Sequence, residues 1–384
     1  MPNPAKIAVI AHALRSAGGL SVGRYLIDGI TRVVPENNYL FLIPEGLGYE
    51  ELCERVPNAE IHALPAVNFA KRIWQDRVRT PKLIKSFAPD VILALDSSLG
   101  MVKPPSPQAI VFYAAQLLYP ESHFGPRTFK DKVRHKYLKR HFTKELKATQ
   151  LVFCQTAVMA NRLREIYGFQ GKTVVAGPSV PDSMRQIPTD EPAPAAFNGH
   201  ENRLKLFCPA RYYPHKNLEI LIELFSKFAD ELKNVSVFIT LTAEQHPNAG
   251  KLLSEISRLN LENNIINLSH IPYEQIGGYY RNADALFMPS LLESFSTTYV
   301  EAMAAGLPIL TSDLDFARGA CGEVADYFDP FSAESVKDVI LAFGSDKSRQ
   351  QELAQLGEKM MQNDVTSWDE IATRVINELS KISR

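Results

Sequence analysis

"NIINLSHIPYEQIGGYYRNADALFMPSLLESFSTTYVEAMAAGLPILTS" (residues 264–312) reads as strand, helix, strand, helix, strand. "NIINLS", "ALFMPS" and "LPILTS" are short, nearly continuous apolar runs, the pattern of strands buried on both faces. Strands that alternate with helices in this way assemble into a parallel sheet covered by helices.

The same texture extends in both directions. "RLKLFCPA" (203–210) and "VSVFITL" (235–241) are further strands, and "KNLEILIELFSKFADEL" (216–232) reads as one helix opening at Lys216. Toward the N-terminus, "KIAVIAH" (6–12), "YLFLI" (39–43), "DVILAL" (90–95), "AIVFYAA" (109–115) and "QLVFC" (150–154) are strands, and "LSVGRYLIDGITRVV" (20–34) is a helix. Between the halves, "GPSVPDSMRQIPTDEPAPAAFNGHENR" (177–203) carries five prolines and no helical period. It is a connection. The expected fold is α/β, two Rossmann-like doubly wound domains: 1–180, a linker at 181–203, and 204–364, followed by an amphipathic C-terminal helix within 365–384. In such sheets, ligands lie beyond the carboxyl ends of the strands.

Composition narrows the function. The chain has 384 residues, with 42 Lys plus Arg against 43 Asp plus Glu. This near-neutral balance gives no basis for nucleic-acid binding. Cys53, Cys154, Cys208 and Cys321 form no CxxC pair, which argues against a zinc knuckle and for buried thiols in a reducing compartment. No apolar run approaches the ~18 residues that span a bilayer, and the first residues lack a signal peptide's core. A cytoplasmic protein is expected.

Three places carry candidate chemistry. In "PARYYPHK" (209–216), Arg211 and Lys216 follow a strand end, an arrangement suited to a diphosphate. In "ESFSTTYVE" (293–301), Glu293 lies in a loop and Glu301 in the first turns of a helix starting near Thr297 or Thr298. A carboxylate at Glu301 suits a ribose diol, and Glu293 suits the hydroxyls of a sugar. The backbone N–H groups around Ser294, Phe295, Ser296, Thr297 and Thr298 point toward a phosphate position. "TYVE" also reads as a capping box, Thr298 with Glu301, which leaves Glu301 a purely local alternative. In "RSAGGLSVG" (15–23), Gly18 and Gly19 precede a helix at a spacing unlike the dinucleotide fingerprint, and serve either close ligand approach or a tight turn. No P-loop motif occurs.

Two further segments have competing readings. Asp313 and Asp315 form a DxD, a metal-binding pattern, although Asp315 also suits the cap of the helix "FARGAC". No metal is expected. Residues 127–147 hold nine Lys or Arg and two Asp or Glu, a basic helix fit to meet an anionic membrane surface or to stand in solvent.

Taken together, the E-x7-E spacing of Glu293 and Glu301, the R-x4-K spacing of Arg211 and Lys216, and the text "NADALFMPSLLESF" and "EAMAAGLPIL" resemble the retaining GT-B glycosyltransferases of family 4. The resemblance is sharp over 204–330 and diffuse over 1–180. It implies two Rossmann-like domains with the active site between them, and a nucleotide-diphosphate sugar as donor substrate with no other cofactor. It implies that Arg211 and Lys216 hold the diphosphate, Glu301 the ribose and Glu293 the donor sugar. His270, Ile271 and Pro272 would border the base, and Gly18 and Gly19 the phosphates or acceptor. The acceptor expected is a glycan or a lipid-linked molecule, and for the latter residues 127–147 would meet the inner face of a membrane. The family often has a histidine where this chain has Gln116, which cannot serve as a base; neither His12 nor His123 matches that position. A GT-B sugar phosphorylase and an inactive nucleotide-sugar-binding subunit are the alternatives.

Overall fold

The computed structural model describes residues 4–383 apart from 98–99, 125–128, 178, 181, 186 and 189. Packing separates two compact units. One holds residues 4–118, 129–177 and 366–383, the other 119–124 and 179–365.

The first unit is built on seven parallel strands: β1 (Lys6–Ile10), β2 (Asn38–Pro44), β3 (Ala59–Leu64), β4 (Val91–Ala94), β5 (Gln108–Phe112), β6 (Leu151–Cys154) and β7 (Lys172–Val175). Their order is β3-β2-β1-β4-β5-β6-β7. The central strands are largely apolar on both faces and almost wholly buried, because helices cover both sides. β3 and β7 have no counterpart in the apolar-run reading. They are the edges of the sheet and only partly buried, so their sequences, AEIHAL and KTVV, retain polar residues.

The helix Trp368–Ser380 packs in this first unit, against the helix Ala17–Val33. Its start is fixed by a complete capping box, Ser367 with Glu370. Trp368 stacks on Tyr25 with ring centroids 5.5 Å apart. The close approach depends on Gly29: a Cβ there would meet the Trp368 carbonyl oxygen at 2.9 Å and Ala372 Cβ at 3.0 Å. The helix Phe129–Leu146 is basic, as expected, but its last turns are not solvated. Phe142, Glu145 and Leu146 are buried. Glu145 lies 3.0 Å from His141 Nδ1, and burial pushes its carboxyl up to about 7. Arg127 falls outside the described residues.

The second unit has six parallel strands: β8 (Leu204–Cys208), β9 (Val235–Ile239), β10 (Ile265–Asn267), β11 (Ala285–Met288), β12 (Ile309–Ser312) and β13 (Ala325–Phe328). The order is β10-β9-β8-β11-β12-β13. The chain winds outward from β8 in one direction and then from β11 in the other. The loops leaving β8 and β11 therefore diverge around a crevice, the place where doubly wound sheets bind ligands. All four cysteines are buried and unpaired, and burial raises the thiols of Cys53, Cys154 and Cys208 to about 12.

Candidate functional site

Both loops at the β8/β11 crevice carry the residues singled out from the sequence. The β8 loop does not lead directly into a long helix at Lys216. Residues Pro214–Lys216 form a single 3-10 turn, Asn217 then takes a left-handed conformation (φ 55°), and the helix runs only from Ile220 to Lys227. Asn217 Nδ2 donates to the Pro330 carbonyl at 2.8 Å, which anchors the interruption. Lys216 thus closes a tight turn instead of opening a helix. The Leu291 N–H donates to the His215 carbonyl at 2.7 Å and ties the β8 loop to the β11 loop.

That tie brings together two residues far apart in sequence. Lys216 Nζ lies 2.6 Å from Glu293 Oε1, and the side chains are 15% and 12% exposed. Lys216 is therefore a half-buried, engaged cation. Beside it, burial pushes the imidazole of His215 down to about 4, so His215 is neutral near pH 7. Arg211, on the same loop, is exposed and has no ion pair or hydrogen bond among the described residues.

Glu301 lies on the helix Thr297–Ala304, one element beyond Glu293. The capping box does not form. The N-cap position is Ser296, without a side-chain cap bond, and Glu301 points into the protein at 7% exposure. Its Oε2 accepts from the Tyr280 hydroxyl at 2.7 Å and its Oε1 from the Tyr273 hydroxyl at 3.4 Å. Burial raises the carboxyl above its usual range, against the opposing hydrogen bonds from Tyr280, Tyr273 and Thr297. A carboxylate held this way keeps part of its accepting capacity for another hydroxyl. Neither tyrosine was legible as a partner, because nothing local in "IPYEQIGGYYRN" marks a contact with a residue more than twenty positions away.

Ser294, Phe295 and Ser296 lead into this helix. Ser296 has φ 128°, a conformation that costs any residue but glycine. Thr297 and Thr298 form its first turn, whose N–H groups have no intrahelical partner. Past the end of β10, His270 and Pro272 are exposed and Ile271 half-buried, next to the turn that carries Tyr273. Residues 119–124 also belong to this unit. The Tyr119 hydroxyl donates to Asp315 Oδ1 at 2.9 Å, and His123 stands edge-on to Phe331.

Asp315 does not take the cap role read from sequence. Asp315 is the first residue of the helix Asp315–Cys321, whose N-cap, Leu314, makes no side-chain cap bond. Asp313 accepts from Arg318 Nε at 2.6 Å and from its Nη2 at 2.9 Å. Among the described residues, no three His, Cys, Asp or Glu side chains converge as a metal site.

Gly18 and Gly19 lie within the first turn of the helix Ala17–Val33, in the first unit, and not in a turn before it. A side chain at Gly18 would meet open space. Gly23 is the glycine that packing demands, since a Cβ there would meet the Tyr49 hydroxyl at 2.5 Å. Gln116 is exposed in a 3-10 turn after β5. His12 is buried, with Nε2 2.7 Å from Asp76.

Residues 191–360 match the family model described as Glycosyl transferases group 1. The matched segment, less than half of the chain, is similar to that family's domain. It includes Arg211, Lys216, Glu293 and Glu301. Mannosylfructose-phosphate synthase of Agrobacterium fabrum is 24% identical over 218 residues, 54% of this chain and 46% of that protein. The chain spans about half the length of such curated relatives. Among solved structures, sucrose-phosphate synthase of Thermosynechococcus elongatus superposes with TM-score 0.73 at 13% identity, covering 98% of each chain. Anabaena HepE in complex with UDP and glucose superposes with TM-score 0.69 at 16% identity, covering 98% of this chain and 100% of that one. The fold is GT-B.

Proposed function

We propose that the chain is a retaining glycosyltransferase of family 4, moving a sugar from a nucleotide-diphosphate sugar to a glycan or lipid-linked acceptor in bacterial-type polysaccharide or glycolipid synthesis. The observation that carries this reading is the meeting of Lys216 and Glu293 at the strand-order reversal of the second unit, next to the buried acceptor Glu301. In this reading Arg211 and Lys216 neutralise the diphosphate, and the N–H groups around Ser294–Thr298 complete its cradle. Glu301 accepts from the ribose, Glu293 from the sugar, and His270, Ile271 and Pro272 border the base. Gly18 and Gly19, on the acceptor side, meet the phosphates or the acceptor. Charge that builds on the departing diphosphate is met by groups already oriented, which is where most of the rate enhancement arises. The departing diphosphate takes the acceptor's proton on the face it leaves, which preserves anomeric configuration without an enzyme nucleophile.

No metal enters this scheme. The cations supply the neutralisation, and Asp313 is held by Arg318. Turnover should therefore survive excess EDTA.

The acceptor half of the proposal includes the membrane. On the helix Phe129–Leu146, Phe129 is 83% and Val133 52% exposed, and Lys136 and Arg140 continue the same stripe, also exposed. Exposed apolar groups beside a row of cations are what an anionic lipid surface binds. No helix among the described residues is long and apolar enough to cross a membrane. Contact would be peripheral, at the cytoplasmic face. Co-sedimentation with anionic vesicles but not neutral ones supports it, and no pelleting with either rejects it.

The donor reading is tested by melting the protein with a panel of nucleoside diphosphates and nucleotide sugars. UDP-glucose comes first, given the ligands of HepE. A ligand at 100 times its Kd stabilises by about 2.7 kcal/mol. Failure of every nucleotide sugar to raise the melting temperature rejects the proposal. Release of nucleotide on adding acceptor separates a transferase from an inactive binding subunit, and a requirement for inorganic phosphate would indicate a phosphorylase.

A further inference from the structure

The Lys216–Glu293 ion pair is more than two adjacent ligands. The 2.6 Å contact joins side chains that are mostly withdrawn from water, so each charge depends on the other. His215 next to it is neutral and supplies no replacement charge. The loops bearing the pair are fixed to each other through the Leu291 to His215 bond, and the β8 loop is held in turn to the segment after β13 through the Asn217 to Pro330 bond. The two charges cannot be separated cheaply by moving one loop away.

A ligand that brings only phosphate must draw Lys216 off Glu293. Glu293 is then left partly buried, without its cation, facing added negative charge. A ligand that brings phosphate together with a hydroxylated ring resolves the exchange: phosphate oxygens take Lys216, and sugar hydroxyls donate to Glu293. We propose that the pair makes occupancy conditional on both halves of the donor, so that nucleotide sugar is selected over free nucleoside diphosphate or phosphate. This rests on the donor reading of the site. It has a second consequence within the cycle. Once the sugar has left with the acceptor, Glu293 loses its hydroxyl donors, and re-formation of the pair with Lys216 drives out the nucleoside diphosphate.

The test compares UDP with UDP-glucose, and GDP with GDP-mannose, by titration calorimetry at constant ionic strength. Wild type should bind the sugar-bearing member of its cognate pair more tightly. Glu293→Gln keeps the size of the side chain and an oxygen acceptor but frees Lys216. It should bind the plain nucleoside diphosphate roughly tenfold or more tightly than wild type does, while the nucleotide sugar gains nothing. The double variant Lys216→Gln/Glu293→Gln should lose that gain, which separates release of a cation from general loosening of the loop. Glu293→Ser serves the same purpose if Glu293→Gln melts below the assay temperature. An unchanged preference for the sugar in the charge-removing variants, or weaker binding of both ligands, overturns the inference and leaves the donor reading standing. Absence of any nucleotide binding in wild type overturns both.

Discussion

Replacing Glu301 by glutamine separates what the buried carboxylate does for the fold from what it does for a ligand. The side chain is nearly isosteric, and the new amide oxygen still accepts from the Tyr280 hydroxyl that now sits 2.7 Å away. The charge disappears. Burial raises the folded-state pKa of Glu301 above its unfolded value. For an acid shifted this way, stability is complete below the unfolded pKa and declines as pH rises toward the folded one. At neutral pH, then, the ionised carboxylate costs stability, and Glu301→Gln removes that cost. The unliganded variant should melt at or above the wild-type temperature. Donor binding should move oppositely. The two tyrosines take one bond on each carboxylate oxygen and Thr297 adds a third, which leaves part of the accepting capacity for a ribose hydroxyl, and hydrogen bonds to a charged acceptor contribute about 1.5–3 kcal/mol. Their loss corresponds to a drop of roughly ten- to a hundredfold in affinity. Differential scanning fluorimetry measures the first quantity and calorimetric titration with the cognate nucleotide sugar the second. A lower melting temperature together with unchanged affinity would refute the reasoning and leave Glu301 with a structural task alone.

The two cations should behave differently. Arg211→Ala and Lys216→Ala should each cut turnover by roughly 10²–10³-fold, but only Lys216→Ala should also lower the melting temperature, because it strands Glu293; equal melting of the two variants contradicts the half-buried pair. Ser296→Gly relieves a conformation with φ 128° and should stabilise the unliganded protein by on the order of 1 kcal/mol in denaturant titrations; a lower midpoint means that the serine side chain contributes more than its backbone costs. Glu145, whose carboxyl is raised from 4.5 to about 7 by burial, contributes stability that is complete below pH 4.5 and lost on the way up to about 7. Glu145→Gln should match wild type at low pH and outmelt it increasingly across that interval, and a constant gap excludes the effect.

Much of the fold was written in local sequence. Strands buried on both faces, such as β1, β2, β5 and β9, are nearly continuous apolar runs and need no partner to be recognised. The three strands that escaped, β3, β7 and β13, are sheet edges, where half-exposure admits Glu60, His62, Lys172 and Asp326 and erases the signal. In the site, residue types and spacings were visible, but engagement was not. The Lys216–Glu293 contact spans 77 residues, and nothing in either loop announces it. The early end of the Lys216 segment turned on Asn217, whose side chain satisfies a carbonyl 113 residues away. Local propensity favoured a capping box at Thr298, and the buried hydroxyl of Tyr280 outcompeted it for Glu301.

The course of the chain constrains how a protein like this one can be taken apart or recombined. Residues 366–383 follow the second unit in sequence but pack with the first, and residues 119–124 lie amid the first in sequence but pack with the second. Neither unit is a contiguous cassette. Excising 179–365 would strip Tyr119 from Asp315 and Phe316, and His123 from Phe331. Stopping the chain at 365 would uncover Gly29 and Tyr25, whose partner is Trp368. A chimera that exchanges donor-binding halves would have to carry the short insert near 120 with the incoming half and return the final helix to the resident one. Recombination breakpoints that respect only the linear boundary would yield proteins with an open seam on each half.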